Sequence, residues 1–212
     1  MSFDRLAPHY RWMEAVCAGG LLQRCRVRWL AEVRNARRAL LAGEGNGRML
    51  SACALAMPGS EFVVLDQSRE MLARARRRWD KCGQSQRITF EQVDLRRWNW
   101  ELEPFDLVIT NFLLDCFAPD ELQQVIKRIA AATTPQARWV NSDFTVPERG
   151  WQRVRAQVGL SMAYGFFRCV TGISARRIVD PSTFLHAAGF GLRARAEFDH
   201  GLLYTELWER GI

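Results

Sequence analysis

The chain has 212 residues, of which 48% are hydrophobic and 25% are charged, and its formal net charge is +7. This size and composition are typical of one globular domain and exclude a disordered or fibrous protein. The sequence has no apolar run of about 18 residues and no signal-peptide pattern at its start, so we expect a cytoplasmic protein without membrane insertion.

The N-terminal part is predicted to be helical. Apolar residues recur at helical spacing in residues 3–18 and 20–36, and Gly19-Gly20 separates the two segments. We interpret residues 1–36 as a helical lid or cap on the domain that follows.

Strands and helices alternate through the middle of the chain. Strands are predicted over residues 39–42, 61–65, 87–93, 105–111 and 137–144. Helices are predicted over residues 48–57, 69–82 and 119–133. Because the strands are continuously apolar, we expect a parallel sheet with helices on both faces.

The last third of the chain has a different order. An aromatic-rich helix is predicted over residues 150–171 and a short helix over 181–188, followed by a hairpin of strands 191–198 and 202–209. The predicted fold is therefore α/β, a Rossmann-like doubly wound sheet that is mostly parallel, with an antiparallel C-terminal hairpin strand and added N-terminal helices. We expect one structural domain, in which residues 37–212 form the Rossmann-like part.

A glycine-rich loop follows the first predicted strand and precedes a helix. Its sequence is Gly43-Glu44-Gly45-Asn46-Gly47. Glycines in this position let the backbone approach a bound nucleotide closely. The spacing G-x-G-x-G departs from the dinucleotide fingerprint, and the Lys-Ser/Thr ending of a P-loop is absent, so neither NAD nor ATP is the first choice. A tight turn that binds no ligand remains the alternative.

Two aspartates stand at the ends of neighbouring predicted strands. Asp66 ends the second strand and Asp94 follows the third. Ligands of open α/β sheets bind at this carboxyl edge, where an acidic residue can accept hydrogen bonds from ribose hydroxyls. A local role for Asp66 at the start of the next helix is compatible with that function. The loop and the two acids together predict a ligand site.

Five segments of the chain together resemble the class I S-adenosylmethionine-dependent methyltransferases. They are ALLAGEGNG at residues 39–47, FVVLDQSREML at 62–72, FEQVDL at 90–95, FDLVITN at 105–111 and FLHAAGF at 184–190. The resemblance covers nearly the whole chain from about residue 37. It is specific to the superfamily and does not indicate a substrate.

The resemblance implies S-adenosylmethionine as the cofactor and S-adenosylhomocysteine as its product. The loop would pass under the methionine part, Asp66 would bind the ribose, and Asp94 would meet the adenine amino group. Asn111 would lie near the sulfonium, and the N-terminal segment would fold over it as a lid. The implied cofactor-binding residues are Tyr10, Gly43, Glu44, Gly45, Gly47, Asp66, Gln67, Asp94, Leu95 and Asn111.

One position departs from the family pattern. The family usually has an acidic residue two positions before the first glycine, where it helps orient the cofactor's amino group, and this chain has Leu41 there. Glu44, inside the loop, is the residue available as a partial substitute.

Two acids are candidates for the acceptor side of the site. Asp115 follows the fourth predicted strand and Asp143 lies at the end of the fifth, so both face the carboxyl edge. Either is a candidate base or substrate-binding group. A helix-start acid ahead of Pro119 is the alternative for Asp115. No metal ligands are predicted, because the six cysteines form no C-x-x-C pair and have no histidine at zinc spacing.

These observations favour a methyltransferase for a small, hydrophobic or aromatic acceptor, with O-methylation as the first choice. The Pro-Pro motif of DNA and protein-amide methyltransferases is absent after the fourth strand. An RNA methyltransferase and a non-catalytic relative that binds the cofactor remain as alternatives. The arginines are scattered along the chain, which makes a nucleic-acid partner unlikely, and either a monomer or a homodimer is expected.

Overall fold

The computed structural model describes residues 19–83, 85–145 and 179–211. Within these ranges one seven-stranded sheet is formed. Its strands are β1 (Arg38–Ala42), β2 (Glu61–Asp66), β3 (Ile88–Gln92), β4 (Phe105–Asn111), β5 (Thr133–Phe144), β6 (Phe190–Phe198) and β7 (Leu203–Arg210). The predicted helices over residues 3–18 and 150–171, and with them Tyr10, lie outside the described residues.

The strand order across the sheet is β3-β2-β1-β4-β5-β7-β6. The pairings among β1 to β5 are parallel, whereas β7 is antiparallel to both β5 and β6. The predicted α/β fold class, mostly parallel with an antiparallel hairpin, is therefore confirmed. The chain leaves β1 and β4 in opposite directions across the sheet, which opens a crevice at their carboxyl ends.

Six helices in the described ranges accompany the sheet. They are α1 (Gly19–Val27), α2 (Leu30–Val33), α3 (Arg48–Ala56), α4 (Arg69–Lys81), α5 (Pro119–Ala131) and α6 (Ser182–Ala187). Helix α4 begins after Ser68, whose hydroxyl oxygen accepts a hydrogen bond from the Met71 amide at 3.2 Å and so caps the helix N-terminus. None of these helices is long and apolar enough to span a membrane.

The core lies on both faces of the sheet, as the continuously apolar strands predict. On one face Leu40 and Val108 pack with Leu122 and Ile126 of α5. On the other face, Leu41 is fully buried in a cluster with residues of α2, α3 and α4. The side chain at position 41 thus points into the apolar core.

Two predicted boundaries are wrong. The helix predicted over residues 20–36 is interrupted between α1 and α2, where the Trp29 side chain turns into the core with only 6% of its surface exposed. The fifth strand begins at Thr133 and not at residue 137. Its register against β4 shifts between Phe105 and Leu107. Apolar periodicity did not reveal this early start, because Pro135 and the polar residue after it interrupt the pattern.

The third glycine of the loop is required by packing. Gly47 has a φ of +82°, and a Cβ at this position would lie 2.8 Å from the Cα of Ala75 in α4. We expect Gly47→Ala to lower the free energy of unfolding by about 2 kcal/mol or more, from backbone strain and overpacking together.

Urea denaturation measures this change. Gly83→Ala is the matched control, because Gly83 also has a positive φ, +61°, but a Cβ there meets no atom within 4 Å. The control should cost about 1 kcal/mol, from strain alone. Equal losses in the two variants would contradict the packing argument.

Candidate active site

The glycine loop lies at the carboxyl ends of β1 and β2. The Gly43 amide donates to the Leu65 carbonyl oxygen at 2.8 Å, which ties the start of the loop to β2. Gly45 has a φ of +66°, and a Cβ there would meet no atom within 4 Å. The middle of the loop therefore presents bare backbone to open space, which is the surface that a nucleotide-type ligand needs.

Asp66 holds this loop in place. Its Oδ2 accepts from the Gly45 amide at 2.9 Å, and its Oδ1 accepts from the Ser68 amide at 2.8 Å. A carboxylate can accept about four hydrogen bonds, so Asp66 can hold the loop and the start of α4 and still accept from the hydroxyls of a ligand. The half-buried side chain of Gln67 follows directly.

Asp94 makes a contact that its sequence position does not reveal. The Arg96 guanidinium donates two hydrogen bonds to the Asp94 carboxylate, from Nε to Oδ1 at 2.8 Å and from Nη2 to Oδ2 at 2.7 Å. These bonds lower the pKa of Asp94. Arg96 also reaches Glu121 of α5, with Nη1–Oε1 at 3.2 Å. Asp94 is thus kept ionised and fixed in direction. The Leu95 side chain points the other way, into the core.

The end of β4 carries an unsatisfied acceptor and a strained residue. Asn111 Oδ1 is buried and has no hydrogen-bond partner among the described residues. Phe112 has a φ of +54°, which costs a bulky residue about 1–2 kcal/mol. Its amide donates to the Ser142 carbonyl oxygen at 2.7 Å, which holds the strained turn. Such features are concentrated at ligand sites, because a bound group compensates them.

Asp115 and Asp143 lie together beneath this edge. Asp115 is 5% exposed and Asp143 is 1% exposed, and the Asp115 amide donates to Asp143 Oδ2 at 3.1 Å. Burial, followed by the charge of Asp115, raises the pKa of Asp143 well above its ordinary value. Two buried carboxyls in contact do not both ionise readily, so the pair holds a proton more tightly than an exposed aspartate does.

A polar layer beside this pair was missed by sequence reasoning. The Thr110 hydroxyl donates to Asn141 Oδ1 at 2.9 Å and accepts from Trp139 Nε1 at 2.9 Å. Asn141 Nδ2 donates to the Tyr204 hydroxyl at 3.5 Å. These side chains lie on β4, β5 and β7, and in the sequence they look like ordinary strand residues. Only the pairing of β5 with β7 brings Tyr204 opposite Asp143.

Glu44 turns inward from the loop. Its Oε1 accepts from the Leu50 amide at 3.0 Å, in the first turn of α3. Burial raises the pKa of Glu44 to about 7, while the charge of Arg26 in α1 opposes that shift. Glu44 thus places a carboxyl group against the first turn of α3, whereas the Leu41 side chain is buried in the apolar core.

The region around the loop matches a known family. Residues 39–136 match the family model of a methyltransferase domain, which spans β1 to β5 and the whole glycine loop. This match covers 98 of the 212 residues and supports the class I S-adenosylmethionine-dependent methyltransferase superfamily for this region. The resemblance inferred from the sequence motifs is thereby confirmed. No curated protein matches the chain.

Solved methyltransferase structures share the fold of this chain. The mitomycin 7-O-methyltransferase MmcR is 19% identical with a TM-score of 0.73, and the match covers 100% of this chain and 61% of MmcR. An O-methyltransferase family protein from Burkholderia thailandensis is 17% identical with a TM-score of 0.70, and the match covers 99% of this chain and 63% of that protein. The SAH-bound magnesium protoporphyrin IX methyltransferase from Synechocystis PCC 6803 is 19% identical with a TM-score of 0.64, and the match covers 87% of this chain and 80% of that protein. This chain thus spans less than two thirds of the length of the first two proteins.

The described ranges of this chain contain no group of three or more His, Cys, Asp or Glu side chains placed to hold a metal ion. The side chains at the carboxyl edge offer other chemistry. They combine bare glycine backbone, fixed carboxylates and an unsatisfied amide oxygen, and this donor and acceptor set fits a nucleoside that carries positive charge.

The buried Asp115–Asp143 pair reduces stability at high pH. Because the pKa of Asp143 is higher in the folded than in the unfolded chain, the folded state loses stability as the pH rises through the folded pKa. Asp143→Asn cannot ionise, so we expect it to raise the free energy of unfolding by about 1 kcal/mol near pH 8. The gain should disappear as the pH falls towards about 4.

Urea denaturation across this pH range gives the measurement. Asp80→Asn is the control, because Asp80 is exposed near the end of α4 and its removal should leave the pH dependence unchanged. If Asp143→Asn is no more stable than the unmodified protein near pH 8, the carboxyl pair does not destabilise the fold.

Proposed function

We propose that this protein is an enzyme that transfers the methyl group of S-adenosylmethionine to a small hydrophobic or aromatic acceptor, with oxygen as the favoured methylated atom. The observation that carries the proposal is the Asp66 carboxylate, which fixes the bare backbone of Gly45 at the edge of the sheet. A cytoplasmic location and a monomeric or homodimeric state complete the proposal.

The residues at the carboxyl edge fit the parts of this cofactor in order. Asp66 and Gln67 bind the ribose, and Asp94 with the Leu95 backbone meets the adenine. The backbone of Gly43, Glu44, Gly45 and Gly47 lies under the methionine part. Asn111 Oδ1, buried without a partner among the described residues, is suited to the positive sulfonium. When bound, the cofactor supplies an electrophilic methyl group.

The acceptor side of the proposal rests on Asp115 and Asp143. A hydroxyl acceptor must lose a proton on methylation, and a positioned carboxylate can take it. The buried pair suits that need because burial raises the pKa of Asp143, which makes its carboxylate a stronger proton acceptor than an exposed one. The O-methyltransferases MmcR and the Burkholderia thailandensis protein support the choice of oxygen through their shared fold.

A nucleic-acid acceptor is less well supported. On α4, where the arginines are densest, Arg74 pairs with Glu70 at 3.1 Å and Arg78 donates to the Asn46 carbonyl oxygen at 3.0 Å. Arg76 lies over the ring of Phe90 at 4.8 Å. These arginines are engaged with the domain itself, which favours a small acceptor over RNA.

The cofactor half of the proposal predicts a loss of affinity in Asp66→Ala. Removing the carboxylate deletes its bonds to the ribose and releases the loop, so S-adenosylhomocysteine should bind about 1–3 kcal/mol more weakly. Calorimetric titration measures the change. Asp80→Ala, on the exposed end of α4, should bind as the unmodified protein does. Unchanged affinity in Asp66→Ala would remove this residue from the site.

The catalytic half predicts that Asp115→Asn separates binding from turnover. Transfer of labelled methyl from S-adenosylmethionine to a panel of phenols identifies an acceptor, and the variant should then be about 10²- to 10⁴-fold slower. Its affinity for S-adenosylhomocysteine should stay unchanged, because the carboxyl pair lies on the acceptor side. Full activity in the variant would exclude Asp115 as the base.

A further inference from the structure

Helix α1 brings a cation to the methionine side of the site. Its apolar residues Leu22 and Cys25 pack with Leu203, Phe112 and Phe144, at the carboxyl ends of β4 and β5 and the start of β7. The Cys25 thiol donates to the Tyr204 carbonyl oxygen at 3.4 Å. These contacts fix α1 across the edge at which the ligand is expected. Arg26, the next residue, is therefore held at the same edge.

Arg26 is buried to a degree that is rare for arginine. Only 6% of its surface is exposed, and its guanidinium carbon lies 5.1 Å from the centre of the ring of Phe112, the residue with the strained backbone. Its charge also acts on Glu44 across the glycine loop. A buried guanidinium costs several kcal/mol unless anionic or hydrogen-bonding partners compensate it. The Arg26 guanidinium thus lies at the same edge as the strained backbone of Phe112.

The amino-acid end of S-adenosylmethionine carries two opposite charges, a carboxylate and an ammonium. Arg26 and Glu44 provide the two complementary charges, because Arg26 lies over Phe112 after β4 and Glu44 lies in the loop after β1. A guanidinium binds a carboxylate through two parallel hydrogen bonds, whereas a carboxylate side chain accepts from an ammonium. The strand position that usually supplies the acid is occupied here by the fully buried Leu41.

We propose that Arg26 and Glu44 together bind the amino-acid end of the cofactor, with Arg26 on its carboxylate and Glu44 on its ammonium. The inference rests on the proposed function, since it deepens the use of the same site. It assigns Arg26 a binding role that no motif in the sequence indicates. It also makes α1 a part of the cofactor site, in addition to its packing against the sheet.

Two ligands that differ only in the amino-acid end separate this role from a structural one. S-adenosylhomocysteine carries the carboxylate and the ammonium, whereas 5′-methylthioadenosine keeps the nucleoside and the thioether and lacks both charges. Affinities of both ligands are measured by calorimetry on the full chain, for the unmodified protein, Arg26→Met and Glu44→Gln. Thermal unfolding of each variant shows whether it is folded.

Each variant should bind S-adenosylhomocysteine about 10- to 100-fold more weakly, the loss expected for charged hydrogen bonds. Binding of 5′-methylthioadenosine should change by less than about twofold, because that ligand does not reach either charge. Arg28→Met is the control, since Arg28 lies just after α1 with 46% of its side chain exposed and should affect neither ligand.

Two results would overturn the inference. Unchanged binding of S-adenosylhomocysteine in Arg26→Met removes Arg26 from the site, and an equal loss for both ligands assigns it a structural role. If Arg26→Met does not fold, Arg26→Lys replaces it and should still lower the ratio of the two affinities, because lysine lacks the planar fork. An unmodified protein that binds neither ligand contradicts the proposed function itself.

Discussion

The carboxylate of Asp66 connects the glycine loop to the rest of the domain, through bonds of 2.9 Å to the Gly45 amide and 2.8 Å to the Ser68 amide. These two contacts fix the loop after β1 and the start of α4 relative to one another. The close approach of Gly47 to Ala75 completes the same junction. The shape of the crevice between β1 and β4 depends on this junction, and so does every role assigned to residues around it.

The carboxyl edge of the sheet contains several features that lower the stability of the folded domain. It contains the buried Asp115–Asp143 pair, the buried Arg26, the unsatisfied oxygen of Asn111 and the strained Phe112. Strained backbone and unsatisfied buried polar groups are concentrated at ligand sites, where a bound group can compensate them. Both faces of the sheet, by comparison, pack apolar side chains against the helices.

The sequence predicted the parts that depend on local pattern. Apolar runs predicted the strands, and the ends of those strands predicted Asp66, Asp115 and Asp143. Arg26 and Tyr204 could not be predicted, because their positions depend on α1 and β7 meeting across the edge, and Cys25 and Tyr204 are 179 residues apart in the chain. The break in the N-terminal helix was missed for a related reason, since the burial of Trp29 is decided by tertiary packing.

The central claim is that S-adenosylmethionine binds at this edge between β1 and β4. A crystal structure of the protein with S-adenosylhomocysteine tests it most directly. The account predicts ribose hydroxyls within hydrogen-bonding distance of the Asp66 carboxylate and the thioether beside Asn111. A ligand bound elsewhere on the domain, or a crevice that stays empty at saturating ligand, would contradict the account.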